Sequence, residues 1–357
     1  MTSARAELQR LFIGTYTNTT AKGIYAATFD PATGQLSAPE LAAEVGSPSF
    51  LAVTPDRRAL YAVSEPTKAV HAYTLDAASG TLTKLNDLPS GGGGPCDVAV
   101  DATGRTVAIA NYGGGSTVSY RLADDGSLAA QTSLDQHTHA SAAHPNRQKA
   151  PHAHGVTFSP DNRLLVSPDL GGDRVYLYDH DPVTSAITPR ASQPWLELAP
   201  ASGPRHAQFS PDGRQLYIIN ELDNTLAVAA VNAATGTLAI VQTLPTLPPD
   251  FTGNSTTAEV AVSANGRNVY GSNRGHDSIA VYARDPADGT LALRQIVPTG
   301  GKHPRHFALS PDGGWLLCAN MESDDITLFR IDPATGELTP SDQPPVALAR
   351  PVCLRFL

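Results

Sequence analysis

One short turn returns seven times along this chain: DPATGQL (30–36), DAASGTL (76–82), ADDGSL (123–128), DPVTSAI (181–187), NAATGTL (232–238), DPADGTL (285–291) and DPATGEL (332–338). In most copies Asp or Asn opens the turn, Gly supplies a positive φ, and the closing apolar residue starts a new strand. A second motif interleaves with it: TPDRRALYAV, DATGRTVAIA, SPDNRLLVSP, SPDGRQLYII, SANGRNVYGS and SPDGGWLLCA, each joining two apolar runs through a tight turn. The two motifs together recur roughly every fifty residues, room for four short strands, which is one blade of a β-propeller. Helical periodicity is almost absent and no linker divides the chain. The expected fold is all-β: a seven-bladed β-propeller of four-stranded antiparallel blades, one domain over residues 10–357 after an N-terminal extension, 1–9.

Six units carry a complete first hairpin, and the seventh is split. RLFIGTYTN and GIYAATFDPATGQL lack an innermost strand, which RPVCLRFL at the other end can supply. Pairing the two ends closes the ring and removes the exposed edges of an open circle.

Composition excludes several partner classes. The net charge is −9 and the 25 Lys and Arg are scattered, whereas nucleic acid calls for a basic stripe. No apolar run is long enough to span a membrane. Glu7 and Arg10 interrupt any signal-peptide core, and the three distant cysteines show no CxxC. A monomer in the cytoplasm, with reduced thiols, is expected.

Aligning the units on the SPDG-type turn locates the chemistry. The start of the innermost strand reads Ser49, Cys96, His154, Arg205, Ala258 and Arg305, and the next position Phe50, Asp97, Gly155, His206, Glu259 and His306. The end of the following strand, at the same rim, reads Tyr16, Glu65, Tyr112, Asp169, Glu221, Arg274 and Met321. Packing gives no reason for such polar variety around one opening, whereas an anion-binding pocket does, because guanidinium forks suit carboxylate and phosphate.

Several longer stretches carry a resemblance: FIGTYTN, PHAHGVTFSPDNRLLVSPDLGGDRVYLY, GPRHAQFSPDGRQLYIINELDNTL, STTAEVAVSANGRNVYGSNRGHDSIAVY and HPRHFALSPDGGWLLCANMESDDITLFRIDPATGEL. They look like the seven-bladed lactonase family, which holds bacterial propeller-type 6-phosphogluconolactonases and fungal carboxy-cis,cis-muconate cyclising enzymes. In the cyclising branch the proposed site is a His, an Arg, a Glu and a second Arg. The resemblance puts these on His154 of AHGV, Arg205 of GPRH, Glu221 of INEL and Arg274 of SNRG. One departure stands out: AEVAVSANG has Ala261 where the resemblance implies a histidine.

The resulting expectation is a lactonase acting on an anionic sugar-phosphate lactone, most simply 6-phosphoglucono-1,5-lactone, without a cofactor or metal. His154 and Glu221 divide the proton transfers, while Arg205 and Arg274 bind the anion and polarise the ring. Arg305 and His306, with Lys302 and His303 of GKHPRH, are outer substrate contacts. Three alternatives stay open: the cyclising reaction, a metal-dependent sugar lactonase using Glu65, Asn111, Asp169 and Glu221, and a non-catalytic scaffold. The histidine-rich stretch DQHTHASAAHPNRQKAPHAH reads as part of an insertion between blades, 130–151, and nothing equivalent in other blades marks His152, two residues before His154, for a role.

Overall fold

A computed structural model describes residues 7–357, and every regular element among them is a β-strand. Residues 1–6 of the expected N-terminal extension lie outside the described residues, and the first strand, Gln9–Thr15, begins one position before the expected domain boundary. Six consecutive antiparallel sheets occupy 48–89, 95–136, 153–197, 204–245, 256–298 and 304–347, here blades 1 to 6. The closing blade joins the innermost strand Pro351–Phe356 to Gln9–Thr15, with Leu11 opposite Phe356 and Ile13 opposite Leu354. Blade 3, blade 6 and the closing blade each have the outermost position shared by two short pieces on one neighbour, so four strands per blade holds throughout.

The recurring motifs explain why the blades adhere. Tyr61, Tyr217 and Tyr270, each in the strand after an SPDG-type turn, reach sideways to a turn carbonyl of the next blade. Their hydroxyls donate to Gly126 O at 2.7 Å, Gly289 O at 2.9 Å and Gly336 O at 3.0 Å. Trp315 takes this place in blade 6, donating from Nε1 to Pro31 O at 2.9 Å while meeting the Phe29 ring edge-on. The turn glycine therefore serves twice. Gly34 has φ 73°, and a Cβ there would enter the Trp315 ring. Gly34→Ala is accordingly expected to lower stability by about 2 kcal/mol, read from urea unfolding, through backbone strain plus overpacking. An unchanged midpoint would show that this staple contributes nothing.

The expected insertion is shorter than its predicted limits. Residues 130–136 belong to the outer strand of blade 2, Leu128–Gln136, whose exposed alternating face resembles a loop in sequence. The true excursion begins at His137 and returns at His152 across the rim of blade 3. Its anchor is buried Gln148, whose Nε2 donates to Leu170 O at 2.8 Å and to Asp173 Oδ1 at 2.6 Å. Asp173 also accepts the Ala201 and Gly203 amides, so the loop is tied to blade 4 as well.

Candidate active site

A bulge at the start of each inner strand builds the rim. Pro48 pairs with Ser64 and Phe50 with Val63, leaving Ser49 as the extra residue. The same shift isolates Cys96, Arg205 and Arg305, each after a proline that donates no ladder hydrogen bond. A bulge re-aims its side chain and is common beside active sites. Blade 3 departs further. Pro168 stands within the facing strand, Leu164–Asp169, the inner strand shrinks to Thr157–Phe158, and Val156 N donates instead to Asp97 Oδ2 of blade 2 at 2.9 Å. His154 stands in this irregular stretch, its amide on Pro168 O at 2.8 Å.

Four of the expected residues come together around one carboxylate. Glu221, only 3% exposed, has Oε2 2.8 Å from Arg274 Nη2, 3.2 Å from Arg205 Nε and 3.9 Å from His154 Nε2. Arg205 is fixed by Nη1 donating to Ala258 O at 2.7 Å, and Arg274 by Nη2 donating to Thr257 O at 2.5 Å. The Nε of each arginine is nevertheless buried without a hydrogen-bond partner, the 3.2 Å approach of Arg205 Nε lacking hydrogen-bonding geometry, and Ser49 Oγ on the same rim is also unpaired. Such orphaned donors are costly unless a ligand satisfies them.

The other assignments fall elsewhere. Arg305 is half-buried over the Tyr16 ring at 5.3 Å, and Tyr16 donates to Glu65 at 3.0 Å. His306 lies one layer deeper, with Nε2 3.5 Å from Glu259 Oε2, its Nδ1 accepting Leu354 N, and its ring edge-on to Phe50. With Asp97, His206 and Glu259 it walls the central channel, a cavity of ≈ 1110 Å³ bounded also by the SPDG-type turns of the opposite face, rather than the arginine cluster. Ala261 lines that same channel, whose lining does not include Glu221. His303 pairs with Glu322 at 3.3 Å, and Lys302 is exposed.

Asp169 is displaced by one position from its predicted column. It bridges to Ala153 where the other blades place Asn, Ser or Thr, and Leu170 holds the rim position. Its carboxylate takes His137 Nδ1 at 2.6 Å and the amides of His152 and Gly172. The carboxylate set suggested for a metal is thereby broken up, since Asp169 holds the loop. His152 stacks on Tyr112 at 4.4 Å and bonds its carbonyl at 2.9 Å, a structural use of the first histidine of PHAH. Among the described residues no cluster of three or more His, Cys, Asp or Glu side chains is arranged to hold a metal ion.

Sequence reasoning missed Arg147. It projects from the excursion to donate from Nη2 to Glu221 Oε1 at 2.6 Å and to Tyr112 Oη at 3.2 Å. No other blade has a counterpart to this loop, so repeat alignment offered no signal for it.

The electrostatics follow from burial and these arginines. Burial alone would raise Glu221, but the guanidiniums of Arg274, Arg205 and Arg147 outweigh it and hold the carboxyl well below the usual range. Burial and then Arg205 push His154 well below the ordinary imidazole value, so its 3.9 Å approach to Glu221 involves a neutral ring. Arg205 is lowered to about 10 by burial, Arg305 and Arg274, which leaves it cationic at neutral pH.

Deeper in the channel, burial lowers His206 to about 4 and His306 to about 3, while it raises Asp97 to about 8. Between pH 7 and pH 5 the unfolded chain binds protons on His154, His206 and His306 that the native state refuses. Asp97 works in the opposite sense, because its native carboxyl is protonated where the unfolded one is not. His303, lowered by burial to about 4, and His71, also lowered by burial, join the histidines, and Asp223, raised by burial to about 6, joins Asp97. Five groups against two make unfolding take up protons, so stability is expected to fall on acidification, by on the order of 2 kcal/mol over this interval. Urea midpoints at the two pH values check the sign; equal midpoints would mean that these histidines titrate normally.

A ring of seven blades that gathers arginines and a histidine around one rim carboxylate defines a propeller with a cationic mouth. The chain belongs to the family of seven-bladed β-propeller lactonases, whose model matches residues 10–356. It is 36% identical to a 6-phosphogluconolactonase of Bacillus subtilis, covering 97% of both chains. A 6-phosphogluconolactonase of Formosa agariphila is 30% identical, with 92% of this chain and 94% of that protein covered. Among solved structures, the periplasmic gluconolactonase of Pseudomonas aeruginosa superposes with a TM-score of 0.92 at 33% identity, covering 98% of this chain and 99% of that one.

Proposed function

We propose that the protein is a lactonase that hydrolyses 6-phosphoglucono-1,5-lactone to 6-phosphogluconate. The observation that carries this reading is the charge of the mouth. Arg147, Arg205, Arg274 and Arg305 gather around Glu221 and Glu65, with Glu259 acting on Arg205 from the channel beneath, so four positive charges meet three negative and leave a net positive mouth. A phosphate monoester, anionic at pH 7, is drawn to that excess, and the orphaned arginine and serine donors are the hydrogen bonds it and the lactone would satisfy. Relatives named for this reaction point the same way.

In the proposed mechanism His154 carries the proton. Glu221 spends its basicity on three guanidiniums, whereas the neutral imidazole keeps a lone pair. His154 takes a proton from water as the oxygen bonds to the lactone carbonyl carbon, and Glu221 stabilises the imidazolium so formed. Arginine donors stabilise the tetrahedral oxyanion. The ring C–O bond then breaks, and the imidazolium returns its proton to the departing alkoxide.

The reading includes a monomer in the cytoplasm, in keeping with three free, buried thiols; no helix is long and apolar enough to cross a membrane. The test is hydrolysis of freshly prepared 6-phosphogluconolactone, corrected for spontaneous opening, by wild type and His154→Ala with and without a chelator. Turnover that survives the chelator and falls at least about 10²-fold in the variant is expected. Wild-type rates at background would overturn the substrate, and loss with chelator alone would replace the imidazole mechanism with a metal site.

A further inference from the structure

The excursion between blades 2 and 3 reaches the reaction centre through one side chain. Every other arginine on Glu221 rises from a blade strand and is buried, but Arg147 comes from the loop and keeps 35% of its side chain exposed. It takes Glu221 Oε1, while Arg205, Arg274 and His154 crowd Oε2. The backbone beneath it is rigid. Gln148 is fully buried on Leu170 and Asp173, its Oε1 accepts the His144 amide at 2.8 Å, and Ser141 N donates to Gly171 O at 2.9 Å.

The guanidinium is only partly used. Nη2 serves both Glu221 and Tyr112, whereas Nη1 and Nε have no hydrogen-bond partner among the described residues. A cation held by a fixed loop, partly open to solvent, with donors to spare and one nitrogen on the site's carboxylate, can bind an anion without releasing Glu221. Arg205 and Arg274 each commit a nitrogen to a backbone carbonyl and meet Glu221 at the same Oε2 that His154 approaches, which makes that side the place for the reacting carbonyl. A sugar lactone carries its phosphate at the opposite end of the molecule, toward the outer guanidinium.

We propose that Arg147 is the residue that selects lactones bearing a phosphate remote from the carbonyl, bridging that phosphate to Glu221. The inference rests on the lactonase reading for its reaction, but its recognition step is measurable by itself. Arg147 is therefore a specificity residue contributed by the loop, and the loop is a fixed shelf over the mouth.

The test compares wild type, Arg147→Gln, Arg147→Lys and Arg305→Gln, all with the Gln148 anchor intact. Hydrolysis is measured for 6-phosphogluconolactone and glucono-1,5-lactone, and calorimetric binding for 6-phosphogluconate and gluconate. In Arg147→Gln the preference for the phosphorylated member of each pair is expected to fall by roughly 10- to 100-fold, the loss of one charge-assisted contact. Arg147→Lys recovers part of it, because charge survives without the planar fork. Equal losses on both members would assign Arg147 to supporting Glu221 alone and overturn the proposal. So would a preference erased by Arg305→Gln and untouched by Arg147→Gln, or a wild type that binds 6-phosphogluconate no tighter than gluconate. If wild type hydrolyses neither lactone while the binding preference exists and collapses in Arg147→Gln, the hydrolytic reading fails and the phosphate selector stands.

Discussion

Glu221→Gln is expected to lower kcat/KM for the lactone by roughly 10³-fold or more, because an amide in this place no longer stabilises an imidazolium on His154. The same change is expected to cost about 3 kcal/mol of folding stability, since it leaves Arg147, Arg205 and Arg274 converging on a neutral group. Two readouts separate chemistry from architecture. In urea unfolding, inorganic phosphate should stabilise the variant more than wild type, as a free anion takes the place of the carboxylate among the guanidiniums. Kinetics measured well below the unfolding transition should remain depressed even with stability restored in this way. A variant that loses stability but keeps its rate would make Glu221 a scaffold for the arginines and leave His154 without an electrostatic partner.

How much of this site could be read in advance depended on where the repeat is regular. Arg205, Glu221 and Arg274 follow from aligning blades: the bulge after Pro95, Pro204 and Pro304 frees the position that holds Arg205, and the end of the facing strand, one place past Asn220 and Asn273, holds Glu221 and Arg274. His154 was found through the same column even though its own inner strand is reduced to Thr157–Phe158. One column further, periodicity misleads. The residue after the bulge resumes the ladder and faces the channel beneath, which carries His306 to Glu259 rather than to the mouth. In blade 3 the missing inner pairs shift the apparent end of the facing strand, and Asp169 falls one place short of the rim, where it secures His137. Arg147 lies outside any such argument, since its position depends on Gln148 and Asp173, long-range contacts that no local pattern encodes. The fold was more legible than the site because a turn copied seven times averages out local irregularity, whereas a site consists of the irregularities.

Closure of the ring was likewise legible, and it supports the second large effect. Deleting residues 351–357 is expected to abolish cooperative folding and leave the chain aggregated. Val352 is 2% exposed and Cys353 and Leu354 are fully buried, on opposite faces of one strand. Cys353 packs with Phe12, Leu51 and Val63, and Leu354 with Leu11, Ile13 and Trp315, so the strand is the wedge between blade 1 and blade 6. Burying such side chains is worth about 1.5–3 kcal/mol each. Their sum approaches the whole stability of a typical domain, about 5–15 kcal/mol, before the edge of Gln9–Thr15 is counted. That edge, stripped of Pro351–Phe356, would offer unpaired amides and carbonyls to any neighbouring chain. Leu354→Ala gives a milder comparison: about 3 kcal/mol lost with the transition still cooperative. Thermal scans and sedimentation of the deleted chain decide the matter. A soluble truncated protein melting within a few degrees of wild type would mean that six complete blades hold the ring without their terminal clasp.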